Sequence, residues 1–395
     1  VSSRSADAAI TTYVPIVMAW LATRVYACVS VEMTPWILND VDIYAGWAPL
    51  LRDGTFPVDD PTWQYPPGIA PVFLVAGALG LDYRWGFTLA ILAVDAALMA
   101  GLLVAHARRG PSASWRGPWL WASAGLVVGS ILMVRFDVVP TALAAGAVLL
   151  AASPVRSGVL AALGALTKVW PALVLLALPR RSLPRATVAA AATLGVVLGG
   201  YALLTEGSLS FLGNQRDRGL QIESLGALPY HWWGLLGGDV EFDLQYGSVQ
   251  VVAPEAPAIG LAITVLGFLL LAVIAGWRLS GRLEAVPPGD VALAVLLVSV
   301  ATSRVYSPQF NVWLIGLAAV AALDRASRLR VAILLVVAAS LVTQVVYPWM
   351  GTQLGDGETL AIVLQTVRLG LLLSATVLSL LAVLRHTADR QQIGR

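Results

Sequence analysis

The chain has one cysteine, one lysine and three histidines among 395 residues, and only 12% of its side chains are charged. A single cysteine, Cys28, excludes an internal disulfide framework. With only His106, His231 and His386 beside it, a His/Cys metal cluster lacks ligands. No glycine-rich phosphate loop of the Gly-Lys-Ser/Thr kind occurs, which argues against ATP-driven transport by this chain. No nucleic-acid partner is expected. The lone lysine, Lys168, stands against 24 arginines, so basic side chains are encoded almost uniformly as arginine.

What the chain has in abundance is apolar residues, 58% of the total, with a mean hydropathy of +0.78. Apolar runs occupy 9–31, 85–106, 117–134, 137–152, 158–179, 186–205, 257–277, 289–303, 309–323, 329–347 and 360–384. A run of about 20 apolar residues is what a helix needs to cross a bilayer. The sequence therefore predicts an all-α polytopic membrane protein forming a single membrane domain over residues 1–395. The "VYAC" ending at Cys28 resembles a lipoprotein cleavage box, but the apolar run continues past it, so 10–31 reads as a retained helix.

Arginine sets the orientation. Seven clusters (Arg4; Arg108, Arg109, Arg116; Arg156; Arg180, Arg181, Arg185; Arg278, Arg282; Arg325, Arg328, Arg330; Arg385, Arg390, Arg395) fall in short connections and predict one cytoplasmic side. They share that side only if the apolar run 67–81 does not cross and 158–179 turns back on itself. Fifteen helical residues reach about 22 Å against a hydrocarbon core of about 30 Å, so 67–81 suits an interfacial helix. Within 158–179, "TKVWP" places a lysine beside a proline, as expected of two half-helices meeting at a break. About twelve crossings result, with both termini cytoplasmic. Seventeen of 23 acids then face outward. Two long outer segments remain, 32–81 with its interfacial helix and 206–256. No internal repeat is visible, which weakens an inverted-repeat transporter.

The outer segments carry the candidate chemistry. Asp40 and Asp42, in "NDVDIY" just after the first span, could act as a general base or share a divalent cation, or be merely solvated. Asp53, Asp59 and Asp60 read as turn residues, and Trp63 in "WQYPPG" as an interfacial anchor. Arg135 and Asp137 in "VRFDVVP" could neutralise each other. Lys168, with no acid nearby in sequence, points to a polar cavity. "NQRDRGLQIES" offers Arg216, Arg218, Gln221 and Glu223, followed by His231 in "YHWW". Clustered arginines with a lysine in reach are what a phosphate requires. Arg24, Asp95 and Arg368 read as structural ion-pair members.

The acid-led segment before Tyr44, the "YPP" turn, "GALTKVWPALVLL" and the late "SPQFNVWL" together resemble glycosyltransferase family 87 over about residues 36–330. The resemblance implies the C-type glycosyltransferase fold. It further implies transfer of a sugar, usually mannose, from a polyprenyl-phosphate donor to a glycolipid or glycan acceptor outside the cytoplasmic membrane. The catalytic aspartate of such enzymes falls on Asp40, four residues before Tyr44. Lys168, Arg216 and Arg218, with Arg135, Arg304 and His231, are then expected on the donor phosphate. Asp42, Tyr44, Tyr65, Gln221, Glu223 and Gln309 are expected at the substrates. No cofactor is expected, although a divalent metal at Asp40 and Asp42 remains open. A polyprenyl-phosphate-arabinose enzyme, a lipid or solute transporter and a non-catalytic scaffold are the competing readings.

Overall fold

In the computed structural model, which describes residues 3–216, 219–245 and 247–393, nearly every apolar run is helical. Helix α1 (Ser3–Met33) stops where Thr34, held out of the helical region by the following Pro35, takes φ −139°. A single 3₁₀ turn leads into α2 (Asn39–Arg52), so the first half of the expected outer loop is a helix rather than a loop. The charges favour it: Asp40 and Asp42 lie in its first turn and Arg52 in its last, each opposing the helix dipole. After the diproline turn comes α3 (Ala70–Ala78), which packs between α2 and α4 (Tyr83–Arg109). With its leading turn, this apolar piece spans only Pro67–Ala78, about 18 Å, short of a crossing.

The 117–134 run is not one helix. It breaks into α5 (Arg116–Ala122), α6 (Ala124–Val128) and α7 (Ile131–Val134), with Gly129 at φ +69° between the last two. Helix α8 (Val138–Leu149) then packs on α9 (Pro154–Ala165). Beyond α9 the chain reverses through 166–169 and returns as a 3₁₀ arm, Trp170–Ala177, lying against α9. Pro171 has no N–H to continue α9, and a Cβ on Gly164 would lie 2.7 Å from the Pro171 ring, so the two arms touch closely. This is the helical hairpin expected from "TKVWP". Its tip is clasped by the diproline turn, where a Cβ on Gly68 would come within 2.7 Å of the Leu166 carbonyl oxygen.

Helix α10 (Leu183–Leu204) leads to the 206–256 segment, which holds α11 (Phe211–Arg216), α12 (Leu228–Leu235) and an antiparallel hairpin of β1 (Glu241–Gln245) and β2 (Ser248–Val252). Among the described residues this hairpin is a small addition to a fold that is otherwise helical, as the sequence predicts. Residues 220–222 pair along β2, with Val251 N–H donating to Leu220 O at 2.8 Å and Ile222 N–H to Val249 O at 3.0 Å. The 32–81 and 206–256 segments are also tied together, Phe56 N–H donating to Glu206 O at 2.8 Å. The remaining helices are α13 (Ala256–Leu279), α14 (Pro288–Ala301), α15 (Phe310–Ala322), α16 (Arg330–Gln344), α17 (Gly351–Gly355) and α18 (Thr359–Ile393).

Among the described residues six helices are long and apolar enough to span a bilayer: Tyr13–Met33, Tyr83–Ser112, Leu183–Leu204, Ala256–Leu279, Arg330–Trp349 and Thr359–Arg385. Four apolar helices are shorter, Pro67–Ala78, Val138–Leu149, Pro288–Ala301 and Phe310–Ala322. By length, then, fewer helices qualify than the sequence predicts. The short ones are central: α14 and α15 are buried along almost their whole length, packed on each other and on α8. The architecture is that of a polytopic helical membrane protein. Two ion pairs lock it: Arg24 grips Asp95 through two 2.8 Å contacts, with Trp20 donating to the same carboxylate at 2.7 Å, and Arg368 meets Glu223 at 2.9 Å. A buried pair of this kind specifies register more than it adds stability.

Candidate active site

The first turn of α2 carries the Asp40 carboxylate onto the Arg135 guanidinium, which extends from the break between α7 and α8. Arg135 also donates to the Tyr347 hydroxyl at 3.3 Å. Two residues on, Asp137 is 1% exposed and receives Lys168 Nζ and Trp313 Nε1, each at 2.6 Å on the same oxygen. The expected neutralisation of Arg135 by Asp137 is therefore corrected. Each takes a partner from another element instead, Arg135 from the first turn of α2 and Asp137 from the hairpin tip. Lys168, at the hairpin tip, also lies over the faces of Phe136, Trp313 and Tyr65 at 4.8, 5.0 and 5.5 Å. Aromatic faces attract a cation while excluding water from it.

Two cavities open beside these pairs. The first, about 540 Å³, is lined by Arg135, Gln221, Glu223, Gln309 and Tyr347 among others. The second, about 440 Å³, takes in Tyr65, Lys168, Arg304, Gln309 and Trp313. Ser307 and Gln309, hydrogen-bonded to each other, border both. An arginine held by a carboxylate at one chamber and two further cations at the next, with a polar sill between them, can bind an acceptor and an anionic leaving group side by side.

The other sequence-predicted residues separate. Tyr44 is buried and stacks on Phe73 at 4.6 Å, placing it in an aromatic core rather than at a substrate surface. Trp63 joins the same core and is fully buried, which corrects its reading as an interfacial anchor. Asp60 is more than a turn residue: it accepts the Trp47 indole N–H at 2.8 Å and the Thr62 N–H at 2.8 Å. Asp42 is exposed. Residues two apart on a helix face different ways, so Asp40 and Asp42 do not converge on one cation. Among the described residues, no group of three or more His, Cys, Asp or Glu could hold a metal. Glu223 lines the first cavity while bound to Arg368, and burial pushes its carboxyl up against the opposing pull of that arginine. Arg216 lies on α11, but its side chain and the whole of Arg218 lie outside the described residues.

His231 is displaced from the expected phosphate site. It is 2% exposed, stacked on Phe242 at 5.1 Å, with Nε2 and the Ile222 carbonyl 2.8 Å apart. This buried ring, held to backbone through Nε2, lines neither cavity. Conversely, sequence reasoning missed Asp137, Trp313 and Tyr347 as site members. The available signal was charge parity: "RFD" offered both signs near the membrane, and Lys168 needed an anion from another element.

Residues 63–228 match the model of glycosyltransferase family 87. The match covers Tyr65, Arg135, Asp137, Lys168 and Gln221, whereas Asp40, Arg304 and Trp313 lie outside it. It supports a glycosyltransferase embedded in a membrane, acting between a sugar donor and an acceptor. No curated protein matches the chain. Within the matched stretch, the "TKVWP" hairpin brings Lys168 to the second cavity and the "RFD" break brings Arg135 to the first.

The buried imidazole predicts a pH response. Burial holds the His231 ring below its ordinary value of 6.5, opposed by the Ile222 carbonyl and reinforced by Arg368. The unfolded chain then binds the extra proton first. Stability is complete above 6.5 and falls as pH drops through the window below it. Thermal unfolding between about pH 7.5 and 5.5 should show the midpoint declining in the native protein and declining less in His231→Gln. Equal slopes would remove the histidine as a source of the dependence.

Proposed function

We propose that the protein is an inverting glycosyltransferase of the cytoplasmic membrane, moving mannose from a polyprenyl-phosphate donor to a lipid or glycan acceptor on the outer side. The supporting observation is the pair of adjoining cavities, with Arg135, the ion-pair partner of Asp40, lining the first and Lys168 and Arg304 lining the second. In this reading the acceptor hydroxyl gives its proton to Asp40 as its oxygen bonds the anomeric carbon. The bond from that carbon to phosphate oxygen breaks, and the electron pair leaves on the polyprenyl phosphate. Lys168, Arg304 and Arg135 stabilise that charge, with Arg216 and Arg218 as further candidates. Arg135 pairs with Asp40, and a donor phosphate would compete for the guanidinium, freeing the carboxylate to act as a base.

A lipid-linked donor suits the surroundings. Helix α10 packs on α9 and α13 on α14, both touch the Trp170–Ala177 arm, and neither packs extensively on the other. Both are barely covered by protein, exposing Val188, Val196, Leu261 and Phe268. Val169 and Leu212 give the second cavity an exposed apolar edge, a place for an isoprenoid chain to leave it. The orientation rests on the arginine clusters, which lie away from both cavities.

The test is transfer by purified protein in detergent, comparing radiolabelled polyprenyl-phosphate mannose with the arabinose analogue on a membrane lipid extract. Labelled glycolipid from the mannose donor alone is expected. Transfer only from arabinose would change the sugar, and activity that survives loss of Asp40 would remove the mechanism.

A further inference from the structure

The 3₁₀ turn before α2, Pro35–Leu38, separates two apolar side chains. Ile37 is 1% exposed and belongs to the core, whereas Trp36 is 46% exposed and lines the first cavity. Its indole is nonetheless held in place. Trp36 meets Tyr347 with ring centroids 5.3 Å apart and planes at 85°. Tyr347 in turn accepts a hydrogen bond from Arg135, the ion-pair partner of Asp40. An unbroken series of contacts therefore links a half-uncovered indole to the carboxylate read as the base.

The same cavity offers polar groups in Gln221, Glu223 and Gln309. Gln221 is 4% exposed, and its Oε1 has no hydrogen-bond partner among the described residues. Buried amide oxygens are nearly always paired, so an unmatched one at a cavity wall calls for a hydroxyl from a ligand or water. The charged residues lining the cavity are Arg135, Glu223 and Asp356, and the arginine is already held by Asp40. A uronic acid or sugar phosphate would meet Glu223 and Asp356 as like charges, which disfavours it. We infer that Trp36 is the platform for a neutral pyranose ring of the acceptor, laid with its C–H face on the indole and its hydroxyls toward Gln221 and Glu223. The hydrogens on that face carry slight positive charge and suit the negative face of an aromatic ring. A cavity of about 540 Å³ is of the size and mixed lining that small-molecule sites have. The inference rests on the transferase reading and adds to it that the acceptor is recognised through its sugar, whether the sugar is free or carried on a lipid.

Saturation-transfer NMR of the full chain in detergent, with no donor present, tests it. The probes are the methyl glycosides of mannose, glucose and galactose, with methyl glucuronide as the anionic control. Saturation is expected on at least one neutral ring and should be weaker on the glucuronide. Trp36→Leu, which keeps apolar bulk and loses the ring face, should abolish it, and Trp36→Tyr should restore most of it. In transfer assays Trp36→Leu should raise the acceptor KM about 10-fold and leave kcat within about twofold, the pattern of lost ground-state binding. Methyl and decyl glycosides should lose affinity equally, because the ring is what the indole touches. Thermal midpoints confirm that each variant folds. Saturation of no neutral glycoside overturns the inference, as does binding as strong in Trp36→Leu as in the unaltered protein, which would make the residue a membrane anchor. Equal binding of glucuronide overturns the neutral class. If no polyprenyl-phosphate sugar supports transfer while glycoside binding still depends on Trp36, the transferase reading fails and the sugar site stands.

Discussion

Asp40→Asn is expected to lower sugar transfer by about 10²–10⁴-fold, the usual cost of losing a positioned general base. The fold should survive, because the Asp40 side chain is 25% exposed and an ion pair so close to solvent contributes only about 0–1 kcal/mol. Asparagine also keeps an oxygen able to accept from Arg135. Asp42→Asn should leave most of the activity, since that side chain is exposed and lies on a different face of α2. Initial rates with saturating donor, alongside melting curves for both variants, provide the comparison. Near-normal turnover by a folded Asp40→Asn protein would falsify its role as base.

Lys168→Met should damage both donor binding and stability, and a second substitution should separate the two effects. The sequence, with no acid near Lys168, predicts a cation reserved for phosphate and a fold indifferent to its loss. The 2.6 Å contact with Asp137 changes the second half of that expectation. Asp137 is 1% exposed, so removing its cation leaves a buried carboxylate with only the Trp313 indole N–H on its charged oxygen. Stranding one member of a buried pair costs about 3–5 kcal/mol. Lys168→Met/Asp137→Asn removes both charges and keeps an acceptor for Trp313, so most of the stability should return. Donor affinity should not, because the cation is still missing. Truncating one partner of a buried charge pair costs about 2–5 kcal/mol of binding. Retention of labelled donor and thermal midpoint, measured on both variants in one detergent, decide the matter. A double variant that binds donor normally would confine this lysine to holding the hairpin tip on α8.

The sequence alone determined the membrane class, the position of nearly every helix and the break at "TKVWP". Each depends on local properties: the length of an apolar run, a proline without its N–H, an arginine in a short connection. It also identified Asp40, Arg135, Lys168 and Gln309 as residues worth following. The division of 117–134 into three pieces was less legible, because apolarity continues unbroken across Gly129 while the backbone does not. The local strand pair over 241–252 gains residues 220–222 on its β2 edge only once the chain folds back from a distance. Only the tertiary structure decided which charges meet. Asp40 found Arg135 some 95 residues away, Asp137 found Lys168 31 residues on, and Glu223 found Arg368 rather than a substrate. Such pairings follow from how helices pack, and the free energy that selects them, avoidance of an unpaired buried charge, belongs to the assembled fold and to no segment of the chain.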